Sequence, residues 1–212
     1  VSVRCGIALA LALGAVAPAE AELYYLIVGG LGAEPSYVEQ FEKDTAALAA
    51  VARRTTAANR VTLLSGEAAT AEALGMAFDS LRTRTKPADS LIVMLVGHGT
   101  YDGEEYKLNL PGPDVDGAEL KRLLGTVPAR SQLVVNATSA SGAVLETWAA
   151  DNRTLITATR SGFERNATRF AQHFAGALAA GSADINKNGV ITAQEAFDYA
   201  SRRVADSFAR DG

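Results

Sequence analysis

The segment DINKNGVITAQE, Asp184 to Glu195, carries oxygen ligands at the spacing a hard divalent cation demands. Asp184 stands at position 1 of a twelve-residue loop, Asn186 at 3 and Asn188 at 5. Gly189 takes position 6, where such a chain turns sharply, and Val190 offers its carbonyl at 7. Thr192 at 9 binds directly or through water, and Glu195 at 12 supplies a bidentate carboxylate. The ion that such a set takes is Ca2+. A metal-free Asn-Gly turn ahead of a helix accounts for Gly189 but leaves the other liganding positions to chance. Only Asp184 and Glu195 bring charge, and no second loop is visible to pair with Ile191. Modest affinity and a structural role are therefore expected.

A second constellation lies upstream. LVGHGTYDG places His98 between Gly97 and Gly99 where an apolar run ends, and VVNATSASG ends another apolar run in a small-residue loop. Glycines at such a point let backbone approach a substrate and leave the Gly99 N–H free to donate to an oxyanion. Ser139 is the candidate nucleophile and His98 its candidate base. Glu146 and Asp151 are candidates for a third member, and spacing does not choose between them.

These residues need a scaffold that brings chain ends together. LYYLIVGG (23–30), RVTLLSG (60–66), DSLIVMLVGHG (89–99), SQLVVNA (131–137) and TLITATRSG (154–162) read as strands, several apolar on both faces. SYVEQFEKDTAALAAVARRT, TAEALGMAFDSLRTRT, AELKRLLGTV and RNATRFAQHFAGALAA have helical spacing, and PGPDVDG (111–117) reads as a turn-rich loop. Strands alternating with helices predict an α/β fold, a doubly wound, mainly parallel sheet sandwiched by helices. In such sheets ligands sit at the carboxyl ends of strands, where His98 and Ser139 fall. GGLGAEP (29–35) fails the G-x-G-x-x-G spacing, so no dinucleotide site is expected there.

The HG after one apolar strand and the small loop ending Ser141-Gly142 after the next resemble the caspase-like cysteine peptidases, the legumain-type branch above all. The resemblance covers roughly residues 22–180 and implies a caspase-like domain with a histidine and a cysteine as its catalytic pair. Matching Ser141-Gly142 to the family's Ser-Gly puts Ser139 in the cysteine position, with Thr138 and Ala140 as its neighbours. A thiol gives some thiolate at neutral pH, whereas a serine hydroxyl needs a closely bonded base. Three readings follow: a degenerate pseudo-peptidase, an active serine hydrolase with Gly99 N–H and Ser139 N–H as oxyanion donors, and plain structural roles for both residues. A non-catalytic cleft that holds a peptide or protein ligand is a further class. The Asp184–Glu195 loop resembles an EF-hand, and AQEAFDYASRRVADSFA suits its exit helix; Gly181-Ser182 makes the entry atypical or dockerin-like.

The chain has 212 residues, 48% of them hydrophobic, enough for one proper core, and a net charge of −4 gives no reason to expect nucleic acid. Arg4, the apolar run GIALALALGAVA and Ala19-Glu20-Ala21 read as a signal peptide over 1–21. A leading Val read as an alternative start codon hints at a bacterium, so the expected location is periplasmic or secreted, without stable membrane association after cleavage. The lone cysteine, Cys5, leaves with that segment, so no disulfide or thiol nucleophile is expected. The expected organisation is a caspase-like domain over 22–180 and a calcium-binding segment over 181–212. Asn-x-Thr sequons stand at Asn136, Asn152 and Asn166.

Overall fold

Five runs assemble into one parallel sheet whose three central strands bury both faces, while the two edge strands are only partly buried. The computed structural model describes residues 21–166 and 168–211, so the predicted signal segment, Ala21 apart, lies outside the described residues. The strands are β1 (Leu23–Gly29), β2 (Val61–Leu64), β3 (Ser90–Val96), β7 (Ser131–Asn136) and β8 (Arg153–Thr157), ordered β2-β1-β3-β7-β8 and all parallel. Alternate residues of β1 go to opposite layers. Leu26 and Val28 join Leu95, Val134 and the buried side chains Leu74 and Phe78 of α2 (Ala71–Arg84) and Leu120 of α3 (Gly117–Thr126). Tyr25 and Ile27 instead meet Met94, Val135, Phe41 of α1 (Pro35–Thr55) and Phe174 of α4 (Phe170–Ala180). Helices thus cover both faces, as the doubly wound expectation requires.

The predicted helix starts hold where polar caps support them. Thr70 accepts the Ala73 N–H at 3.1 Å and Asp116 accepts the Glu119 N–H at 2.6 Å, each satisfying an orphan amide of the first turn. α4 begins at Phe170, five residues later than its apolar pattern suggests, because residues 158–166 are spent on turns around the Ser141 loop. The loop after β3 also holds a small antiparallel sheet, β4 (Gly99–Tyr101), β5 (Tyr106–Leu108) and β6 (Val115–Asp116). PGPDVDG, read as a turn-rich loop, therefore contains the short strand β6 and runs into α3 at Gly117. α5 (Ala193–Asp211) packs on α4: Phe197 lies 6.0 Å from Phe170, and Ala196 and Ala200 are fully buried in the sheet's second layer. The C-terminal segment shares the sandwich's core.

β1 is flanked by β2 on one side and β3 on the other, so the winding reverses between β1 and β3. At that reversal the Gly30 N–H bonds the Val96 carbonyl at 2.7 Å and Gly30 packs on Gly97, so the ends of β1 and β3 stay close where the chain leaves the sheet for His98.

Candidate active site and candidate calcium loop

β3 and β7 are neighbours in register, Leu95 opposite Asn136, and the Ala137 N–H donates to the Leu95 carbonyl at 2.8 Å. The two strands therefore deliver His98 and Ser139 to one point. Gly97 has φ +140 with Gly30 packed against it, a conformation and a space that a side chain does not fit. Beyond it the His98 ring stands edge-on to Tyr37 and Phe41, centroids 5.0 and 5.2 Å away. Burial pushes the imidazole's pKa down, opposed by the charge of Glu34, so the neutral ring is favoured.

Ser139 is 1% exposed. Its Oγ lies 3.5 Å from His98 Nδ1, beyond the length of a good hydrogen bond, and accepts the Gly99 N–H at 3.2 Å. The amide expected to hold an oxyanion is thus bonded to the candidate nucleophile itself. A Cβ on Gly99 would come within 2.5 Å of the Ser139 carbonyl, which is why the position takes only glycine. Glu146 and Asp151 are both exposed, and among the described residues no carboxylate hydrogen-bonds the His98 ring. A cavity of about 500 Å³ opens beside the pair, lined also by Tyr101, Asp102, Lys107 and Arg165. The Glu105 and Glu104 N–H groups donate to Asp102 and hold its carboxyl below the usual range.

The loop is fixed by contacts that sequence reasoning missed. Thr138, fully buried, sets its Oγ1 2.7 Å from Tyr106 OH and 2.8 Å from Asn136 Oδ1, so this neighbour of Ser139 is locked in the core. Burial pushes the Tyr106 phenol up to about 12. Asn136 is itself 1% exposed, which puts its sequon out of reach in the folded chain. Ala140 takes a left-handed φ of 56, and Ser141 Oγ accepts the Ala158 and Thr159 N–H groups, both at 3.1 Å. A side chain at Gly142 would run into the backbone of Arg160 and Ser161. Ser141-Gly142, read as a motif, is the tie between the ends of β7 and β8.

The second candidate site has the turn its spacing predicts. Lys187 and Gly189 take φ of 58 and 81, and the Asn188 and Gly189 N–H groups donate to the Asp184 carboxylate at 3.1 and 2.8 Å. Asn186 Nδ2 donates to Glu195 Oε1 at 3.1 Å, bringing positions 3 and 12 together across the loop. The Thr192 and Glu195 N–H groups bond each other's side chains reciprocally, at 3.0 and 3.2 Å, which is a capping box for α5. The Thr192 N–H and hydroxyl bonds hold the Glu195 carboxyl below its ordinary pKa, hence ionised. Oxygens of Asp184, Asn186, Asn188 and Glu195 with this turn fit a calcium ion, the Val190 carbonyl and Thr192 completing the set. The fit differs from the usual hand in two ways. α4 stops at Ala180 with Gly181 left-handed, short of Asp184, and Ile191 packs on the protein's own core. Among the described residues no group of three or more His, Cys, Asp or Glu side chains converges on a point, consistent with only two charged ligands.

Fold and site together define an α/β protein with a histidine–serine pair at the carboxyl edge of its parallel sheet. No family model matches the chain, and no curated protein is similar to it. Among solved structures it is similar to protein GSU0716 from Geobacter sulfurreducens (20% identity, TM-score 0.43, covering 63% of this chain and 57% of that one). It is also similar to the Drosophila initiator caspase Dronc (14% identity, TM-score 0.44, covering 75% and 64%). The chain spans less than two thirds of either, and the site's chemistry is read from its own geometry.

Proposed function

We propose that this is an exported, calcium-binding protein of the caspase-like peptidase type whose peptidase site is degenerate, Ser139 standing where a thiol would act. One observation carries the reading: the Ser139 hydroxyl is buried, engaged by the Gly99 N–H, and without a closely bonded base. An unactivated serine at neutral pH is a poor nucleophile, and among the described residues no carboxylate hydrogen-bonds the neutral His98 ring to orient it. The adjoining cavity then serves to hold a peptide without cutting it. Asp184, Asn186, Asn188, Val190, Thr192 and Glu195 hold calcium, which supplies charge at the start of α5 and staples that helix to the sheet. Export to the periplasm or beyond, where calcium is plentiful, agrees with the modest two-carboxylate site.

Turnover of a pooled fluorogenic peptide library by wild type and Ser139→Ala tests the reading. It requires equal, background rates from both. A serine hydrolase is the second reading, favoured by the nearness of His98 to Ser139 alone; turnover that Ser139→Ala abolishes would establish it.

A further inference from the structure

We infer that the outer edge of β8 is a docking groove for an extended, acidic, apolar segment of another protein, which adds to the sheet as a sixth strand. β8 ends the sheet, and its register with β7 turns the N–H and C=O groups of Leu155 and Thr157 away from that neighbour. Gln132 N–H bonding to Asn152 O and Ala158 N–H bonding to Asn136 O fix this alternation. No described residue pairs with those four outward groups.

The edge does not face open solvent. It forms the floor of a cavity of about 770 Å³ whose walls are Leu145 on one side and Phe170, Phe197 and Val204 on the other. A second cavity of about 380 Å³ shares Thr159, Glu164, Phe170 and Val204 with it and ends at Phe163 and Phe208, exposed by 66 and 57%. Unpaired backbone at the bottom of an apolar trough is what an added strand needs: main-chain bonds give affinity and alternate side chains fill the walls. The trough's charge selects the strand. Arg169 aside, which stacks on Phe208, the charged side chains of described residues that line the two cavities are Arg160, Arg165 and Glu164, two cations to one anion in a chain of net charge −4. The Arg160 and Ser161 N–H groups turn the Glu164 carboxylate back onto its own loop, and the exposed Arg160 and Arg165 guanidiniums leave the rim with a positive balance.

The inference does not rest on the His98–Ser139 reading; peptide turnover by the wild type would leave it untouched. Its test is fluorescence anisotropy with a labelled peptide of alternating valine and glutamate, beside the same peptide with lysine for glutamate. Thr157→Pro removes one outward donor where an edge strand tolerates proline, and Arg160→Glu reverses a rim charge. The expected result is saturable binding of the acidic peptide, weakened about tenfold or more by each variant, with no binding of the lysine peptide. Should Thr157→Pro fail to fold, shown by loss of its melting transition, Arg160→Glu decides alone. Equal binding of both peptides, binding of neither, or full affinity in the variants overturns the inference. So does a concentration-dependent dimer that Thr157→Pro dissolves, since the added strand would then come from a second copy.

Discussion

Calcium should raise the melting temperature of this protein by an amount that its loop geometry bounds. The loop is single, its ligating side chains are mostly exposed, and two carboxylates supply all its charge. A calcium site of that charge and exposure would have a Kd of about 10⁻⁴–10⁻³ M. At about 10 mM calcium, mass action then stabilises the folded chain by about 1.4–2.7 kcal/mol. For a domain of this size each kcal/mol moves Tm by roughly 2–4 °C, so the rise is about 3–11 °C. The coupling is direct, because Glu195 opens α5 and the next residue, Ala196, is fully buried against the sheet. Differential scanning calorimetry in calcium, magnesium and EDTA reads the effect. Glu195→Gln should abolish the calcium shift, and it should also lower Tm slightly in EDTA by weakening the capping box. Identical melting in calcium and EDTA would refute the reasoning, and an equal shift with magnesium would refute the assigned ion.

Asp44 on α1 is 4% exposed with Oδ2 unpartnered, and burial pushes its carboxyl from 3.8 up to about 6. The folded state keeps a proton that the unfolded state releases, so its contribution to stability falls as pH rises from about 4 to about 6. Asp44→Asn should remove that slope and stabilise the protein by about 1–3 kcal/mol at neutral pH, measured by urea unfolding across pH; an unchanged slope would count against it. Tyr106→Phe strips the buried Thr138 hydroxyl of a partner at 2.7 Å and should cost about 1–2 kcal/mol in the same assay. Gly99→Ala forces a methyl to within 2.7 Å of the Tyr106 ring and 2.5 Å of the Ser139 carbonyl, and should destabilise by about 1–3 kcal/mol. A neutral outcome for either would mean that the loop is less constrained than these contacts require.

The parallel sheet was legible because strands buried on both faces, such as SLIVMLV in β3, must be nearly continuous apolar runs. The meeting of His98 and Ser139 was legible for the same reason: two such strands in a parallel sheet put their carboxyl ends side by side. The β4–β6 sheet was not. Its strands GTY, YKL and VD are two or three residues long, too short for alternation to show. Nor could spacing reveal that Thr138 turns inward to Tyr106 while Ser139 faces His98, since adjacent small polar residues carry no directional signal. The open edge of β8 depends on where α5 returns, a tertiary fact. The Asp184–Glu195 loop was legible as a turn because its side-chain oxygens and its glycine follow one another locally.

The most direct measurement of the central claim is covalent labelling of the calcium-loaded protein by a fluorophosphonate probe, with Ser139→Ala and His98→Ala alongside. A degenerate site predicts no labelling above background in any of the three, with calorimetry showing each folded. Labelling of the wild type that both substitutions abolish would contradict the account and establish a working serine–histidine pair.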